Sequence, residues 1–385
     1  MDYLTSILLI SISCLIIWRS SQGFELAADF LGRRLPAGIK GATINAIASS
    51  MPEFLTTMFF LFWLRDAEGF SAGLAVSSGS ALFNLLIIPA GAVLMLSTLK
   101  TGQKIVLRKR VLLREGLMLL LSQLIFIAFL FSGTLVEIHG IVLVLVYMVY
   151  LALLFRITRK GKMNDPGFES PSGEGRKSWP LRILSLDISN SVLRGRPVNM
   201  GRAWILLIIS TLVMTAGTWL LVHGTHLFGE ASGIHLVFVS VILSAAATSV
   251  PDTILSLKDV RKGNYDDALS NALGSNIFDI AFALGLPILL YNLVDPGGLK
   301  LDEKALDITQ EVWVFLLLAT VLALAVMLIG KYFTKRKAFI LLVIYVLFLL
   351  FVGTQVNPEL GGIGGHVQNF LTSIADWIGG LIPKN

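Results

Sequence analysis

Two carboxylates, Glu53 and Asp252, sit directly after prolines inside long apolar runs, in AIASSMPEFLTTM (46–58) and AAATSVPDTILSL (245–257). A third, Asp279, closes GSNIFD (274–279), and the matching stretch of the first half, GSALFN (79–84), ends in Asn84. Placing one ionised side chain at the centre of a bilayer costs on the order of 3 kcal/mol on insertion scales. A lone acid can offset that cost by pairing with a base or by holding a proton. These acids occupy matching positions of two similar segments, and the apolar runs that carry them contain no Lys or Arg. Their partner is therefore expected from solution, as a cation.

The neighbouring residues fit a hard cation. Pro52 and Pro251 have no amide hydrogen, so each releases a backbone carbonyl one turn upstream. Inside a membrane, released carbonyls are tolerated only where protein, water or an ion satisfies them. Hydroxyls precede each proline: Ser49 and Ser50 in one copy, Thr248 and Ser249 in the other. Carboxylate, carbonyl and hydroxyl oxygens form the set that Ca²⁺ prefers. The absence of thiolate and imidazole from these stretches disfavours zinc and copper. Downstream, Ser80 and Asn84 are four residues apart, as are Ser275 and Asp279, so each pair shares a helix face. The small residues Gly79, Ala81 and Gly274 let helices approach closely there.

Membrane helices must position these groups. Of the 385 residues, 55% are hydrophobic and 15% charged, and runs of near-spanning length recur. Ten spans are expected, at about 3–18, 41–64, 70–98, 116–136, 138–155, 203–222, 234–257, 268–292, 312–330 and 338–356. The net charge of +6 is distributed as a topology signal and does not point to nucleic acid. Lys and Arg gather after the first, third, fifth and ninth spans, whereas 295–311 is acidic. The positive-inside rule then puts both termini outside and the basic 157–202 loop in the cytoplasm. That loop divides a five-span half (1–156) from a second (203–356), and a tail of amphipathic or flexible character follows (357–385). The tail places Phe370, Leu371, Ile374, Trp377 and Ile378 at helical spacing, as in a helix lying on the outer interface. Since five spans per half is odd, the repeated motifs enter the membrane in opposite orientations. The expected fold is thus an all-α polytopic membrane protein of ten transmembrane helices in two inverted five-helix repeats, an arrangement common in secondary transporters.

The amino terminus lacks a basic segment and a cleavage pattern, so the first helix is expected to be retained. Cys14 is the only cysteine, which excludes an intramolecular disulfide. No GxxxxGK[ST] loop occurs, and neither a nucleotide nor a covalently bound cofactor is expected.

The stretch ATSVPD, followed by GNYDDALSNALGSNIFDIAFALGLP, resembles the second alpha repeat of the sodium/calcium exchangers, within the calcium/cation antiporters. ASSMPE with GSALFN resembles the first alpha repeat. The likeness covers about 41–91 and 240–290 and implies a transporter, not an enzyme. It implies that Glu53 and Asp252 are the central calcium carboxylates, with Ser49, Ser50, Thr248 and Ser249 supplying further oxygens. It also implies that Ser80, Asn84, Ser275 and Asp279 line flanking sodium positions. A Glu in repeat one, an Asp in repeat two and Asp279 downstream resemble the potassium-dependent branch, which makes Asp279 a potassium candidate. Repeat one departs from the family pattern, with Ala81 after Ser80, Val76 in place of an asparagine and Ala48 in place of a glycine, and repeat two has Ala247 in place of the matching glycine. Repeat one also has 27 positions from Pro52 to Gly79, against 23 from Pro251 to Gly274.

The expected activity is calcium/sodium exchange by alternating access, with the first and sixth spans sliding, as the resemblance implies. Unpaired buried carboxylates would cost several kcal/mol per ion in an empty carrier, which discourages it from switching sides and enforces exchange. The same acids could carry protons, which makes calcium/proton exchange the rival within the class. A relative that senses or scaffolds without transport is the rival outside it. Remaining polar groups take plainer readings. His223, His226, Glu230 and His235 are expected to be interfacial polar residues and not a zinc site. Glu25 and Asp29 are expected at a vestibule mouth before the second span, and Asp266 and Asp267 on a solvated turn. The expected location is a prokaryotic inner membrane, with lipid and inorganic cations as partners and oligomeric state left open.

Overall fold

The computed structural model describes residues 2–35, 39–64, 67–98, 105–106, 108–158, 186–300, 303–357 and 362–382. Most of the 157–202 loop, from 159 to 185, lies outside the described residues.

The first half comprises α1 (Asp2–Leu31), α2 (Ala46–Ser49), α3 (Met51–Phe59), α4 (Ala67–Leu82), α5 (Ile88–Thr98), α6 (Lys109–Phe131) and α7 (Glu137–Thr158). A short α8 (Ile188–Leu193) leads to the second half: α9 (Met200–Ser232), α10 (Leu236–Val239), α11 (Ala245–Thr248), α12 (Val250–Arg261), α13 (Tyr265–Ala281), α14 (Gly285–Val294), α15 (Glu303–Leu328) and α16 (Lys335–Val356). The chain ends in α17 (Ile363–Leu381). Four π-helical turns interrupt the spans, at Gly41–Asn45, Phe60–Leu64, Phe83–Ile87 and Ser240–Ser244.

Among the described residues, eight helices are long and apolar enough to cross a membrane, and two further helix pairs qualify as bent spans. The pairs are 42–49 with 51–64, bent by 44°, and 236–248 with 250–261, bent by 41°. Both breaks fall at the residue before the proline turn, Ser50 (φ −92°, ψ 5°) and Ser249 (φ −77°, ψ −1°). The exposed large hydrophobics lie on outward faces of the long helices (Leu117, Leu121 and Leu124 of α6; Leu145, Val149 and Leu153 of α7), which suits a lipid surround. The chain is a multi-pass membrane protein.

The first span is longer than the sequence suggested. Arg19 does not end α1, because its guanidinium lies over the Trp18 ring, 4.7 Å from the centroid. Helix α1 therefore carries Glu25 and Asp29, expected beyond its end. It packs along α9 through small residues: a Cβ at Gly217 would stand 2.8 Å from Ile16, and one at Gly224 would stand 3.0 Å from Leu9. Close seams of this kind are how membrane helices gain packing without a hydrophobic drive.

Two regions read as soft from sequence are ordered by apolar burial. Ile188, Leu193 and Val198, at the end of the basic loop, bury against Leu26, Ala27, Phe30 and Leu31 of α1 and Ala203 and Leu206 of α9. Helix α17 buries Leu371 and Ala375, and its Thr372 donates to Glu311 of α15 at 2.6 Å, while Phe370 and Trp377 stay exposed. Two-residue strand pairs tie connections of the two halves together: Ile105–Val106 with Tyr332–Phe333, and Thr134–Leu135 with Leu299–Lys300.

Candidate cation site

The breaks aim the acids. Pro52 and Pro251 open the new helices, where a missing amide hydrogen costs least. Glu53 and Asp252 follow in the first turns of α3 and α12, at the positive ends of those helices. Both carboxylates are fully buried, as are Asp279, Ser49, Ser50, Ser80, Asn84, Thr248, Ser249 and Ser275.

One turn of the α4 span touches both acids. Ser80 donates to Glu53 Oε1 at 3.0 Å, and Asn84 Nδ2 donates to Asp252 Oδ2 at 2.7 Å. The second half repeats the first of these contacts: Ser275 donates to Asp252 Oδ1 at 2.8 Å. The halves are also stitched by hydroxyls, with Ser80 and Ser249 sharing a hydrogen bond at 2.9 Å and Ser49 and Ser275 one at 3.4 Å. Close backbone approach makes this possible. A Cβ on Gly79 would collide with the carbonyl of Val241, and one on Gly274 would stand 3.0 Å from the Cα of Ala42. Ala42 and Val241 occupy equivalent places before the two proline motifs.

The acids are unequally satisfied. Asp252 accepts from Asn84, Ser275 and Asn271, the last at 3.4 Å. Glu53 keeps Oε2 without a hydrogen-bond partner, and both oxygens of Asp279 lack one. Thr248 lies beside Glu53 and Ser50 beside Asp279, without closing a hydrogen bond of normal geometry. The cause is the difference at the last position of GSALFN and GSNIFD. Where Asn84 offers an amide to Asp252, its counterpart Asp279 presents a second carboxylate toward Glu53. Orphaned acceptors also occur at Asn84 Oδ1 and Asn276 Oδ1.

Among the described residues, Glu53, Asp252 and Asp279 form no ion pair with Lys or Arg. No three acid, His or Cys side chains there stand close enough to hold a metal by themselves. The three carboxylates lie within electrostatic reach of one another without forming such a cluster by themselves. A cation here has to combine carboxylates with hydroxyl, amide and carbonyl oxygens, the mixed oxygen set of a hard ion.

The sequence reading gave three groups no part in the cation site. Asn271 donates to Asp252 and, at 3.2 Å, to Ser256; its only signal was an amide inside an apolar motif. Glu115, just outside the expected fourth span, is buried in α6 and bound by Arg114 and the Tyr150 hydroxyl. Glu25 is buried on α1 beside Lys258. Of the histidines, His223 stacks on Trp219 at 5.7 Å and meets Trp63 edge-on at 5.6 Å.

The chain is 26% identical over 80% of its length to the inner membrane protein YrbG of Escherichia coli K12, covering 87% of that protein. It is 25% identical over 89% of its length to human sodium/potassium/calcium exchanger 5, covering 80% of it. The crystal structure of the H⁺/Ca²⁺ exchanger CAX superposes with a TM-score of 0.70, covering 98% of this chain and 87% of that one, at 16% identity, which speaks to fold alone. The model of the sodium/calcium exchanger proteins matches residues 5–156 and 202–354, both halves with the basic loop left out, and the chain belongs to that family.

Proposed function

We propose that the chain is a secondary antiporter moving Ca²⁺ through a midplane site in exchange for Na⁺, with K⁺ as a candidate co-ion at Asp279. The observation that carries this reading is the paired break: two bent spans present Glu53 and Asp252 in first turns, and Ser80 of α4 and Asn84 of the π turn that continues it contact one acid each. Cation binding to the orphaned oxygens of Glu53 and Asp279 would offset the several kcal/mol that an uncompensated buried charge costs. Glu53, Asp252, Ser49 and Thr248 are assigned to calcium, and Ser50, Ser80, Asn84, Ser249, Ser275 and Asp279 to the flanking cation. Pro52 and Pro251 act by breaking the helices.

The proposed frame is ten spans in two inverted halves, 1–156 and 203–356, joined by a cytoplasmic 157–202 loop, with both termini outside. The strand pairs support the inversion. The connection between the third and fourth spans of the first half pairs with that between the fourth and fifth of the second. The reverse combination pairs at the other end. Equivalent connections thus lie on opposite sides. The α1–α9 seam supports a mechanism in which these two helices slide as a unit past the motif core. Likeness to a bacterial inner membrane protein supports placement in a prokaryotic inner membrane.

The test is Ca²⁺ uptake by vesicles holding the purified chain, under an imposed sodium gradient and then a pH gradient, each with and without potassium. Sodium-driven uptake, abolished in Glu53→Gln and Asp252→Asn, is the expected result. Uptake driven by the pH gradient alone would reassign the counter-ion to H⁺. Failure of both gradients would leave a non-transporting relative.

A further inference from the structure

We infer that Glu25 is a second cation-binding residue, on the route between the midplane site and the basic-loop side, and that Lys258 is a tethered ammonium competing for it. The inference rests on the proposed cation transport and adds a station to that same path.

The route is built from two facing helices. On α12, Asp252, Ser256 and Asp259 follow at intervals of four and three residues, which lines their oxygens along one face. All three are buried. On α1, Glu25 and Asp29 are four apart and occupy one face opposite. Glu25 lies within electrostatic reach of Asp252, Asp259 and Asp29 together. The row leads from Asp252 toward the end where α8 packs on Leu26 and Phe30, the side of the basic loop.

Within that row the acids outnumber the satisfactory partners. Asp259 is 9% exposed, and its Oδ2 has no hydrogen-bond partner. Glu25 is also 9% exposed, but its partner is loose: Lys258 Nζ stands 3.7 Å from Oε2, with the lysine side chain 48% exposed. A strong ammonium–carboxylate bond is about 2.8 Å long. The other cations facing the cluster are also mobile or engaged. Lys40 pairs with Asp29 at 2.8 Å, and Lys262 reaches Asp259 from the end of α12. A buried carboxylate held by a half-exposed ammonium on a flexible stem can release it to a denser cation at little cost. Burial of Glu25 makes sense as a binding station and wastes stability as a surface ion pair.

The position matters because α1 runs along α9 and carries Glu25 past α12. While no cation passes, Lys258 neutralises Glu25 and ties α1 to α12 near the mouth. An arriving Ca²⁺ displaces the ammonium, frees that tie, and lies one step from Asp252.

The experiment is Ca²⁺ titration of the full chain in detergent by calorimetry, repeated as half-saturation of uptake in vesicles. Lys258→Met should lower the half-saturating Ca²⁺ by roughly threefold to tenfold, since the competing charge removed near 4 Å is half-exposed and screened close to the value for water, about 1 kcal/mol. Glu25→Gln should raise it by a similar factor, and Lys258→Met should have no further effect in the Glu25→Gln background. An unchanged or raised half-saturation in Lys258→Met, or a shift that persists without Glu25, overturns the inference. If Lys258→Met does not fold, Lys258→Arg keeps the charge and offers a planar fork that can grip the carboxylate at both oxygens; it should raise the half-saturating Ca²⁺, and no change overturns the inference equally. Calorimetry separates this from the transport reading. A chain that binds Ca²⁺ but follows no gradient refutes the antiporter and still reports on Lys258.

Discussion

At the scale of single residues, the site is governed by one exchanged atom pair, the amide of Asn84 against the second carboxylate of Asp279. Asn84 donates to Asp252, whereas Asp279 faces Glu53 with both oxygens unpartnered. Replacing Asp279 by Asn supplies a donor at that place and removes one negative charge. Asp279→Asn should therefore raise Tm in cation-free detergent buffer and raise the half-saturating cation concentration about tenfold, equivalent to 1.4 kcal/mol. The reverse change, Asn84→Asp, leaves Asp252 without its shortest donor and should lower cation-free Tm, with added Ca²⁺ restoring part of the loss. Paired differential scanning measurements with and without Ca²⁺ decide the matter. A Tm that falls in Asp279→Asn without cation would contradict the assignment of unmet charge to that carboxylate. The acids themselves were legible in the sequence because an ionisable residue in an apolar run is costly. Glu25 was not legible as part of the route, because Arg19 suggested a helix end and hid that α1 continues to Leu31. Nor was the unequal satisfaction of the acids, which depends on which side chain meets which across the two halves.

At the scale of helices, the close crossing of the two halves depends on two glycines in matching motifs. Gly79 leaves no room for a side chain against the backbone of Val241, and Gly274 is nearly as tight against Ala42. Both contacts are to backbone, which cannot swing aside as a side chain can. Gly79→Ala should lower stability by about 1–3 kcal/mol, the usual cost of overpacking. Exchange should fall with it, because the crossing also sets the Ser80–Ser249 hydrogen bond at 2.9 Å. Gly91→Ala in α5 is the control: a Cβ there meets nothing within 4 Å, so only a gain in helix propensity is expected. Chemical denaturation in detergent compares the two, and equal stability of both variants would refute the crossing argument. The sequence located these glycines by their motif. It could not tell that each packs on the equivalent turn of the opposite half, since that relation exists only once the halves interlock. The four π turns were equally unreadable, because a single extra residue in a helical turn leaves no periodic mark.

At the scale of the whole molecule, sidedness is a question of charge distribution, to which the fold adds a constraint. Because Ile105–Val106 pairs with Tyr332–Phe333, the basic connections after the third and ninth spans share one side. Helix α8, which follows the basic loop, packs on the end of α1 near Arg33 and Arg34, so that end of the chain's first span lies with the loop. The acidic connection that starts at Asp295 pairs through Leu299–Lys300 with Thr134–Leu135 and belongs to the opposite side. The proposed topology takes the basic side as cytoplasmic, by the positive-inside rule. A Cys14→Ser background removes the only native thiol and allows single reporters. Asp295→Cys and Asn369→Cys, both at exposed positions, should react with a membrane-impermeant maleimide in intact cells. Arg196→Cys, also exposed, should react only after the membrane is opened. Labelling of Arg196→Cys in intact cells with protection of Asp295→Cys would invert the molecule. The proposed midplane site would survive that result, but the proposed row from Asp252 to Glu25 would then open outward, and Ca²⁺ added outside would meet Lys258 first.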